Sequence, residues 1–377
     1  MNEAPRDSQT PTPPPLPERP GTQRHFSCKN CGAEMTWEPA EDVLVCAHCA
    51  ARLAVPRASA EIVERPLEDA GSAARGFGVE TRTATCKKCG AKVSYEGRDT
   101  ALECAFCGAP AVLEESSYRN ALRPESVIPL GIGAKKVEDG FRKWIGSRWF
   151  RPNALKTTKH FDAKGVYVPC WTYDALADSE WSADAGYYYT VMELRPVMVN
   201  GKMQMRMVPV QKVRWEPAWG RRHDAYDDVL VHASRGISPE LTRELGTFDL
   251  KALVPYRPEY LAGWRAEEYA VDLEGGWKNA LASVVNSQEA RCSNDVPGDT
   301  QRNLRVHNVV SNVRWKLCLL PVWTLTYRFN HKPYAVLIHG QSGHIVGEAP
   351  YSFWKIFLFV LAILAAVGVV VLLAAVA

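Results

Sequence analysis

The sequence lacks the signals of several common functional classes. Its 45 Lys and Arg residues nearly balance its 42 Asp and Glu residues, and a net charge of +3 gives no overall field that would attract nucleic acid. It contains no G-x-x-x-x-G-K-[ST] phosphate-binding loop, so an ATP-driven motor is not supported. It also contains no H-E-x-x-H and no G-x-S-x-G, and we find no catalytic constellation. We therefore expect that the protein is not an enzyme.

A secretion signal is also missing. The first residues, Met1 to Asp7, show no basic stretch followed by an apolar one. A chain without such a signal is expected in a reducing compartment, where cysteines seldom form disulfides. The eleven cysteines are therefore candidates for metal ligands.

Long apolar runs are scarce until the last segment of the chain. Residues 356–377 contain no charged or strongly polar side chain. At 1.5 Å per residue, a helix of this length spans roughly 33 Å, enough for a hydrocarbon core of about 30 Å. Lys355 precedes the run together with a belt of aromatic residues typical of a membrane interface, Tyr351, Phe353 and Trp354. We predict a transmembrane helix over 354–377, with a buried core helix as the disfavoured alternative.

Eight of the cysteines form four C-x-x-C pairs before residue 110, and the pairs repeat. The segment Cys28-Lys29-Asn30-Cys31-Gly32-Ala33 returns 58 residues later as Cys86-Lys87-Lys88-Cys89-Gly90-Ala91. In each copy, 14 residues separate the first pair from a second pair. This shared spacing indicates two small domains of the same kind.

Each domain has the ligands and spacing of a zinc ribbon. Zinc takes four thiolates in a tetrahedron with Zn–S distances of about 2.3 Å, and a C-x-x-C turn presents two of them. The glycine after the pair, Gly32 or Gly90, tolerates a left-handed backbone. We predict two structural Zn²⁺ ions, bound by Cys28, Cys31, Cys46 and Cys49 in the first site and by Cys86, Cys89, Cys104 and Cys107 in the second. Such sites leave no coordination position open, and their metal contributes on the order of 10 kcal/mol to folding.

Other roles for these residues fit less well. His48 lies inside one pair and could compete as a ligand, but its counterpart in the repeat is Phe106. A thioredoxin-like redox site has one C-x-x-C pair at a helix start, which four pairs in ribbon spacing do not match. The scattered Cys170, Cys292 and Cys318 are most simply small buried apolar residues.

The composition divides the chain into segments. The start is rich in Pro and poor in large apolar residues, which predicts disorder. Helical and strand patterns interleave in the body without a βαβ rhythm, which predicts an α+β fold. The predicted segments are a disordered tail over 1–23, a first zinc ribbon over 24–55, a linker over 56–80, a second ribbon over 81–114, an α+β body over 125–350 and the transmembrane helix.

Within the body, periodicity predicts a few elements. We expect helices over about 134–149 and 275–291 and another beginning after Ser238, strands over 166–174, 206–215 and 317–329, and a hairpin over 334–347. The motif Val168-Pro169-Cys170-Trp171-Thr172 recurs as Leu320-Pro321-Val322-Trp323-Thr324. The recurrence suggests two related half-domains, with chance similarity as the alternative.

Several of these motifs together resemble a bacterial family of zinc-ribbon membrane proteins. The resemblance rests on the paired ribbons, on Phe141-Arg142-Lys143-Trp144 and Trp149-Phe150-Arg151-Pro152-Asn153, and on Gly165 to Trp171 with Leu320 to Trp323 and Gly340-Gln341-Ser342-Gly343. Members are often labelled primosomal-helicase-like, or described as carrying a ribbon similar to that of transcription factor IIB. The resemblance implies a cytosolic body tethered to the inner membrane, and partners among flotillin-like or phage-shock-type membrane-stress proteins. The helicase label does not fit this sequence, because the nucleotide-binding loop is missing.

Closed metal sites, a membrane anchor and no catalytic set lead to one expectation. We expect a single-pass protein of the cytoplasmic membrane that contacts the lipid bilayer through its C-terminal anchor. Its body would lie in the cytoplasm as a scaffold that binds protein partners. The alternative is nucleic-acid binding by the ribbons, in which Lys29, Lys87 and Lys88 would contact phosphates. Acidic residues equal or outnumber basic ones around the cysteine pairs, so nucleic acid is not the favoured partner.

Overall fold

The structure is a computed structural model that describes residues 26–39, 41–55, 61–77, 81–96, 103–109, 112–115, 121–156, 162–199, 202–329 and 332–376. The predicted disordered tail over 1–23 lies outside the described residues. The described part is a mixed α+β protein, as the sequence predicts, with two sheets and five α-helices.

The helices differ in length and surroundings. They are α1 Ala134–Gly146, α2 Asn153–Lys156, α3 Pro239–Leu245, α4 Leu273–Asp295 and α5 Phe353–Val376. Short 3₁₀ helices span Leu67–Ser72, Leu250–Ala252 and Pro258–Leu261. The sequence therefore predicts α1 and α4 correctly, apart from a few residues at their ends. It also predicts the start of α3, where the Ser238 side chain accepts a hydrogen bond from the Leu241 amide.

The strands include three of unusual length. They are β1 Met35–Glu38, β2 Val43–Cys46, β3 Arg52–Ala54, β4 Arg65–Pro66, β5 Thr81–Cys86, β6 Lys92–Glu96, β7 Val112–Glu115, β8 Ser126–Val127, β9 Asp162–Val199, β10 Lys202–His232, β11 Val254–Pro255, β12 Arg265–Glu267, β13 Thr300–Phe329, β14 Lys332–His339 and β15 Ile345–Gly347. The predicted strands are parts of β9, β10 and β13. The predicted hairpin is present as β14 and β15, with Ile338 opposite Ile345.

The two sheets have different roles. Strands β1, β2 and β3 form a small antiparallel sheet around the first cysteine set. The remaining strands form the main sheet, in which β9 lies between β10 and β13. Strand β4 lies inside the predicted 56–80 linker, yet it pairs with β13, with Arg65 opposite Trp315. The predicted domain boundaries otherwise stay predictions.

The two motifs that recur in the sequence lie on neighbouring strands, with Leu320 opposite Val168. Proline cannot donate to a strand ladder. Pro169 lies just beyond the last pair between β9 and β10, which joins Cys170 to His232. Pro321 lies just beyond the last pair between β13 and β14, which joins Val322 to His339. Each proline is tolerated because one of its two flanking ladders ends there, the β9–β10 ladder at Pro169 and the β13–β14 ladder at Pro321. A relation between two half-domains stays a prediction.

Helix α4 covers one face of the long strands. Its buried residues recur every four positions from Gly276 to Cys292. A Cβ at Gly276 would come within 2.4 Å of the Tyr173 hydroxyl and 2.8 Å of the Trp171 ring, so glycine is required for this close approach. The side chain of Asp272 caps the helix by accepting a 2.8 Å hydrogen bond from the Gly275 amide.

The opposite end of the main sheet carries α1 and the apolar helix α5. Val137, Phe141 and Ile145 of α1 are buried, and the Phe141 ring lies 5.6 Å from that of Tyr327. The window Phe353–Val371 of helix α5 has no buried residue and is long and apolar enough to cross a membrane. This is the helix that the sequence predicts as an anchor.

The loop between α1 and α2 holds the start of α5. The Lys355 ammonium donates to the carbonyl oxygens of Trp149 and Arg151 at 3.1 and 2.9 Å and to Asn153 Oδ1 at 2.7 Å. The Ser352 amide donates to the Phe150 carbonyl at 2.8 Å. We call the loop residues 149–153, together with Ser352 and Lys355, the anchor clasp. Because the clasp satisfies the ammonium with three acceptors, α5 starts from a fixed position on the body.

Candidate metal centres

All four C-x-x-C turns have the same backbone geometry. In each, the amide of the first cysteine donates to the carbonyl five residues later, and its own carbonyl accepts from the amide four residues later, at 2.7–3.0 Å. The residue after the second cysteine then has positive φ, as at Gly32 and Gly90, both at 75°. The first set has Ala50 instead of glycine at this position of its second turn, and Ala50 also has a positive φ of 57°. The turn therefore opens the amide groups toward the sulfur atoms.

The turns bring the cysteines together in the two predicted sets. Within each set all four sulfur atoms lie within 4.8 Å of one another. The Cys28–Cys49 and Cys31–Cys46 sulfur distances are both 3.5 Å. In the second set, the Cys86–Cys107 and Cys89–Cys104 distances are 3.7 and 3.6 Å. These distances are far longer than a disulfide bond of about 2.05 Å.

The spacing fits one metal ion at the centre of each set. A tetrahedron with metal–sulfur bonds of about 2.3 Å has sulfur–sulfur edges of about 3.8 Å. The measured edges are close to that length. A cluster of several iron atoms would need its cysteines further apart, because each binds a different iron. Each set could therefore hold one thiophilic ion.

Hydrogen bonding favours a thiolate at one cysteine of each set, whereas the pKa values of Cys31, Cys89 and Cys107 are raised. Hydrogen bonds, led by that from the Cys49 amide, lower the pKa of Cys46 to about 6. The Cys89 thiol, with the Cys107 and Phe106 amides, lowers the pKa of Cys104 to about 5. A thiolate is the form that binds metal, so each set contains at least one cysteine prepared for ligation near neutral pH. His48 is exposed and does not belong to the four-sulfur group.

The first set has one side exposed to solvent, since Cys31 is exposed while Cys28 and Cys46 are buried. Its second turn exposes Ala47 and His48, and its first exposes Lys29 and Asn30. Its other side packs on the core of the body, where the Trp37 ring meets Tyr260 edge-on at 4.8 Å and the Trp37 carbonyl accepts a 2.9 Å hydrogen bond from Trp264 Nε1. We call Lys29, Asn30, Ala47 and His48 the exposed tip.

The second set is built into the main sheet. Strand β6 pairs with β12, which pairs with β9. In its second turn Cys104, Ala105 and Phe106 are buried, and a Cβ at Gly236 would collide with the Phe106 ring at 2.4 Å. The two sets therefore have the same spacing in the sequence, but their second turns differ in burial.

A third cluster of ionisable side chains brings together residues that are distant in sequence. Carboxylate oxygens of Glu64, Asp174 and Asp228 lie within 4.8 Å of one another. The Lys316 ammonium lies 2.8 Å from Glu64 Oε1 and 2.6 Å from Asp228 Oδ1. Because Lys316 already supplies a cation, we interpret the group as a salt-bridge network that fixes the segment before β4 to the sheet.

This network predicts a pH dependence of stability. Burial, together with the neighbouring Glu64 carboxyl, raises the pKa of Asp174 to about 7, whereas an unfolded aspartate titrates near pH ~4. The folded protein therefore keeps a proton that the unfolded chain releases. This contribution to stability is complete below pH ~4 and is lost as the pH rises through about 7. We expect the melting temperature of Asp174→Asn to fall less than that of the wild type between about pH 5 and 8.

The control is Asp227→Asn, which changes an exposed carboxylate next to the network. Its melting temperature should follow the wild-type pH profile. Parallel profiles for all three proteins, measured by intrinsic fluorescence, would contradict the assignment of the proton to Asp174.

The three remaining cysteines are buried, as the sequence predicts. Cys170 lies 3.3 Å from His232 Nδ1, a neighbour that the sequence does not reveal because 62 residues separate the two. Burial raises the pKa of the Cys170 thiol and lowers that of His232, so both groups are neutral near pH 7. A neutral thiol with a neutral imidazole is not a prepared nucleophile.

Comparison with known proteins gives one informative similarity. The chain is 25% identical over 333 residues, 88% of its own length and 91% of the other's, to a protein of Bacillus subtilis (strain 168) described as uncharacterized protein YdjG. No family model matches the chain, and no solved structure matches it. The similarity covers nearly the whole of both proteins, and the name of the relative states no activity.

Proposed function

We propose that the protein is a membrane-anchored zinc protein that binds protein partners at the cytoplasmic face of the membrane. The proposal is carried by one observation: two sets of four thiols, each with the spacing of a closed metal site, lie on a body that is clasped to an apolar helix. Closed sites shape a surface and leave no position for a reacting water. The anchor then holds that surface near the bilayer.

Zinc is the ion that the donor set favours. Four cysteines at tetrahedral spacing suit Zn²⁺, and a mononuclear iron would give a coloured protein. The thiols must stay reduced for the ion to bind, which supports a cytoplasmic body. Elemental analysis of the purified full-length chain should find two zinc ions per chain.

The unequal burial of the two sets suggests a division of labour. The second set contributes to the core of the main sheet, so its metal serves mainly the fold. The first set presents the exposed tip to solvent, so its metal shapes a contact surface. We therefore assign partner binding to the first set, with the flotillin-like and phage-shock-type proteins implied by the family resemblance as the partner classes to test.

A crosslinked pull-down from membranes tests this assignment. The variant Lys29→Glu/His48→Glu changes the exposed tip without removing a metal ligand. The control Lys278→Glu/His307→Glu makes the same charge change on exposed residues of α4 and β13. We expect the tip variant to lose at least one crosslinked protein that both the wild type and the control retain, because reversed charge at a contact weakens binding.

An identical set of crosslinked proteins for the tip variant and the wild type would contradict the assignment. Nuclease treatment before the pull-down separates the alternative function. Proteins that disappear after nuclease, together with salt-dependent retention of DNA or RNA, would assign the surface to nucleic acid instead.

A further inference from the structure

The long hairpin of β9 and β10 extends beyond the rest of the sheet. The last pair between β9 and β13 joins Gly186 to Thr300. From there outward, residues 187–198 of β9 pair only with residues 203–214 of β10, within the described residues. We call these two segments the distal ribbon. At about 3.4 Å per residue, it projects roughly 40 Å from the sheet.

One face of the distal ribbon carries no charge. Residues directly opposite each other in an antiparallel pair share a face, and the pairs run from Tyr188 with Val213 to Met198 with Met203. This apolar face consists of Tyr188, Thr190, Met192, Leu194, Pro196 and Met198 on β9, and of Met203, Met205, Met207, Pro209, Gln211 and Val213 on β10. It contains five of the seven methionines of the chain. The seven large side chains on it, five Met, Leu194 and Tyr188, are between 46% and 69% exposed.

The other face of the distal ribbon is charged. It carries Glu193, Arg195, Arg206, Lys212 and Arg214 between valine and tyrosine residues. Arg195 and Glu193 form an ion pair at 2.9 Å. The ribbon is therefore amphipathic, and only its apolar face needs a cover.

The edges of the ribbon are poor sites for adding a strand. A proline in a two-stranded ribbon is tolerated where its nitrogen faces the open edge. Pro196 therefore removes a donor from the β9 edge, and Pro209 removes one from the β10 edge. A partner is expected to pack on the apolar face.

Lipid is a poor cover for this face. The open edges of the ribbon still present most of their backbone N–H and C=O groups, and each such group costs several kcal/mol without water. The face would have to enter the hydrocarbon together with those edges. Packing against another protein surface leaves the edges in water.

We propose that two copies of this chain associate through the apolar faces of their distal ribbons. A half-exposed large side chain presents on the order of 100 Å² of accessible surface, so the seven together present roughly 700 Å². This area is close to the ~800 Å² that each partner contributes to a standard interface. A two-fold axis pairs this face with itself, and no like charges meet because the face has none. Flexible methionine side chains adapt to each other across such a contact. The outer face of each ribbon is charged, so no third ribbon packs on the dimer.

The test uses the full-length chain in detergent and a matched pair of variants. Leu194→Glu/Met207→Lys places two charges at the centre of the apolar face. These positions are directly opposite, so the new charges attract each other across the strands and keep the ribbon intact. The control Val191→Glu/Val210→Lys introduces the same opposed charges on the charged face. Light scattering measures the mass as a function of concentration.

We expect a wild-type dimer whose dissociation constant rises about 100-fold in the apolar-face variant and stays within about threefold in the control. A wild-type monomer at tens of micromolar would overturn the proposal. So would equal dissociation constants for the two variants. Unchanged metal content in both variants confirms that the fold is retained.

A second measurement identifies the occupant in the native membrane. A photoreactive amino acid at Met207 should yield a covalent product with twice the mass of the chain. Crosslinks only to lipid or only to a different protein would overturn the proposal and assign the apolar face to that occupant.

Discussion

Replacing Cys104 by serine is expected to remove at least one metal ion and to destabilise the whole body. Replacing Cys31 by serine should remove one ion and leave the body folded. The reason is the unequal burial of the two sets. In the second turn of the second set Cys104, Ala105 and Phe106 are buried, whereas Ala47 and His48 of the equivalent turn are exposed, as is Cys31 in the first turn of that set. A structural zinc site contributes about 10–16 kcal/mol in small domains, as much as the entire stability of many proteins.

The measurement combines zinc content with thermal unfolding and limited proteolysis of the purified full-length chain. We expect two ions in the wild type and one in Cys31→Ser, with the melting temperature of the body little changed. We expect one ion or none in Cys104→Ser, with a large fall in melting temperature and rapid cleavage within the main sheet. Cys292→Ser is the control, because Cys292 is a buried thiol of α4 that belongs to neither set. It should retain both ions.

Two results would contradict this expectation. Cys104→Ser could retain both ions, which would show that the second set does not bind metal through Cys104. Alternatively, the two ligand variants could lose equal stability, which would show that burial of the second set does not couple its metal to the body.

The sequence predicts the two four-cysteine sets well because their geometry is local. A C-x-x-C turn is fixed by hydrogen bonds within six residues, as between Cys28 and Ala33. The spacing of 14 residues then allows only a short hairpin between the two turns. Helix α4 is predicted for a similar reason, since the pattern over 275–291 is local, but the prediction misses the cap at Asp272 and with it the first turn of the helix.

The sequence does not predict the burial of the second set. Ala105 and Phe106 differ from Ala47 and His48 by one apolar ring, and that ring packs against Gly236, some 130 residues away. Such a contact depends on how β6, β12 and β9 align in the main sheet. The salt-bridge network of Glu64, Asp174, Asp228 and Lys316 is hidden for the same reason. Each residue alone has the pattern of a solvated surface charge.

The length of β9 and β10 is also underpredicted. Ala175, Ala177 and Ser179 face α4 and are buried, but such small residues give a weak apolar signal. Pro196, Pro209 and Pro217 interrupt the strand pattern, and proline normally argues against a strand. In the distal ribbon the apolar and charged residues alternate as in a half-buried strand. Its apolar side is exposed within the described part of the chain.

Truncation after Lys355 is expected to release the protein from the membrane completely. The segment 356–376 contains fifteen Leu, Ile, Phe or Val residues, and each favours the bilayer by about 0.3–0.6 kcal/mol at a helix centre. Together they give roughly 6 kcal/mol, or a partition of about 10⁴-fold toward the membrane. Truncation at this point keeps the anchor clasp, because Lys355 still reaches Trp149, Arg151 and Asn153. The body should therefore stay folded with both metal ions while it moves to the soluble fraction.

The fractionation needs a control that separates the loss of the anchor from a loss of fold. Fusion of an unrelated apolar single-pass helix after Lys355 should return the truncated chain to the membrane fraction and resist carbonate extraction. Full-length protein in the soluble fraction, or truncated protein that still sediments with membranes, would show that α5 is not the anchor. In the second case, the exposed rings of Trp149, Tyr351 and Trp354 around the anchor clasp are the surface to change next, since they lie where the helix would enter the bilayer.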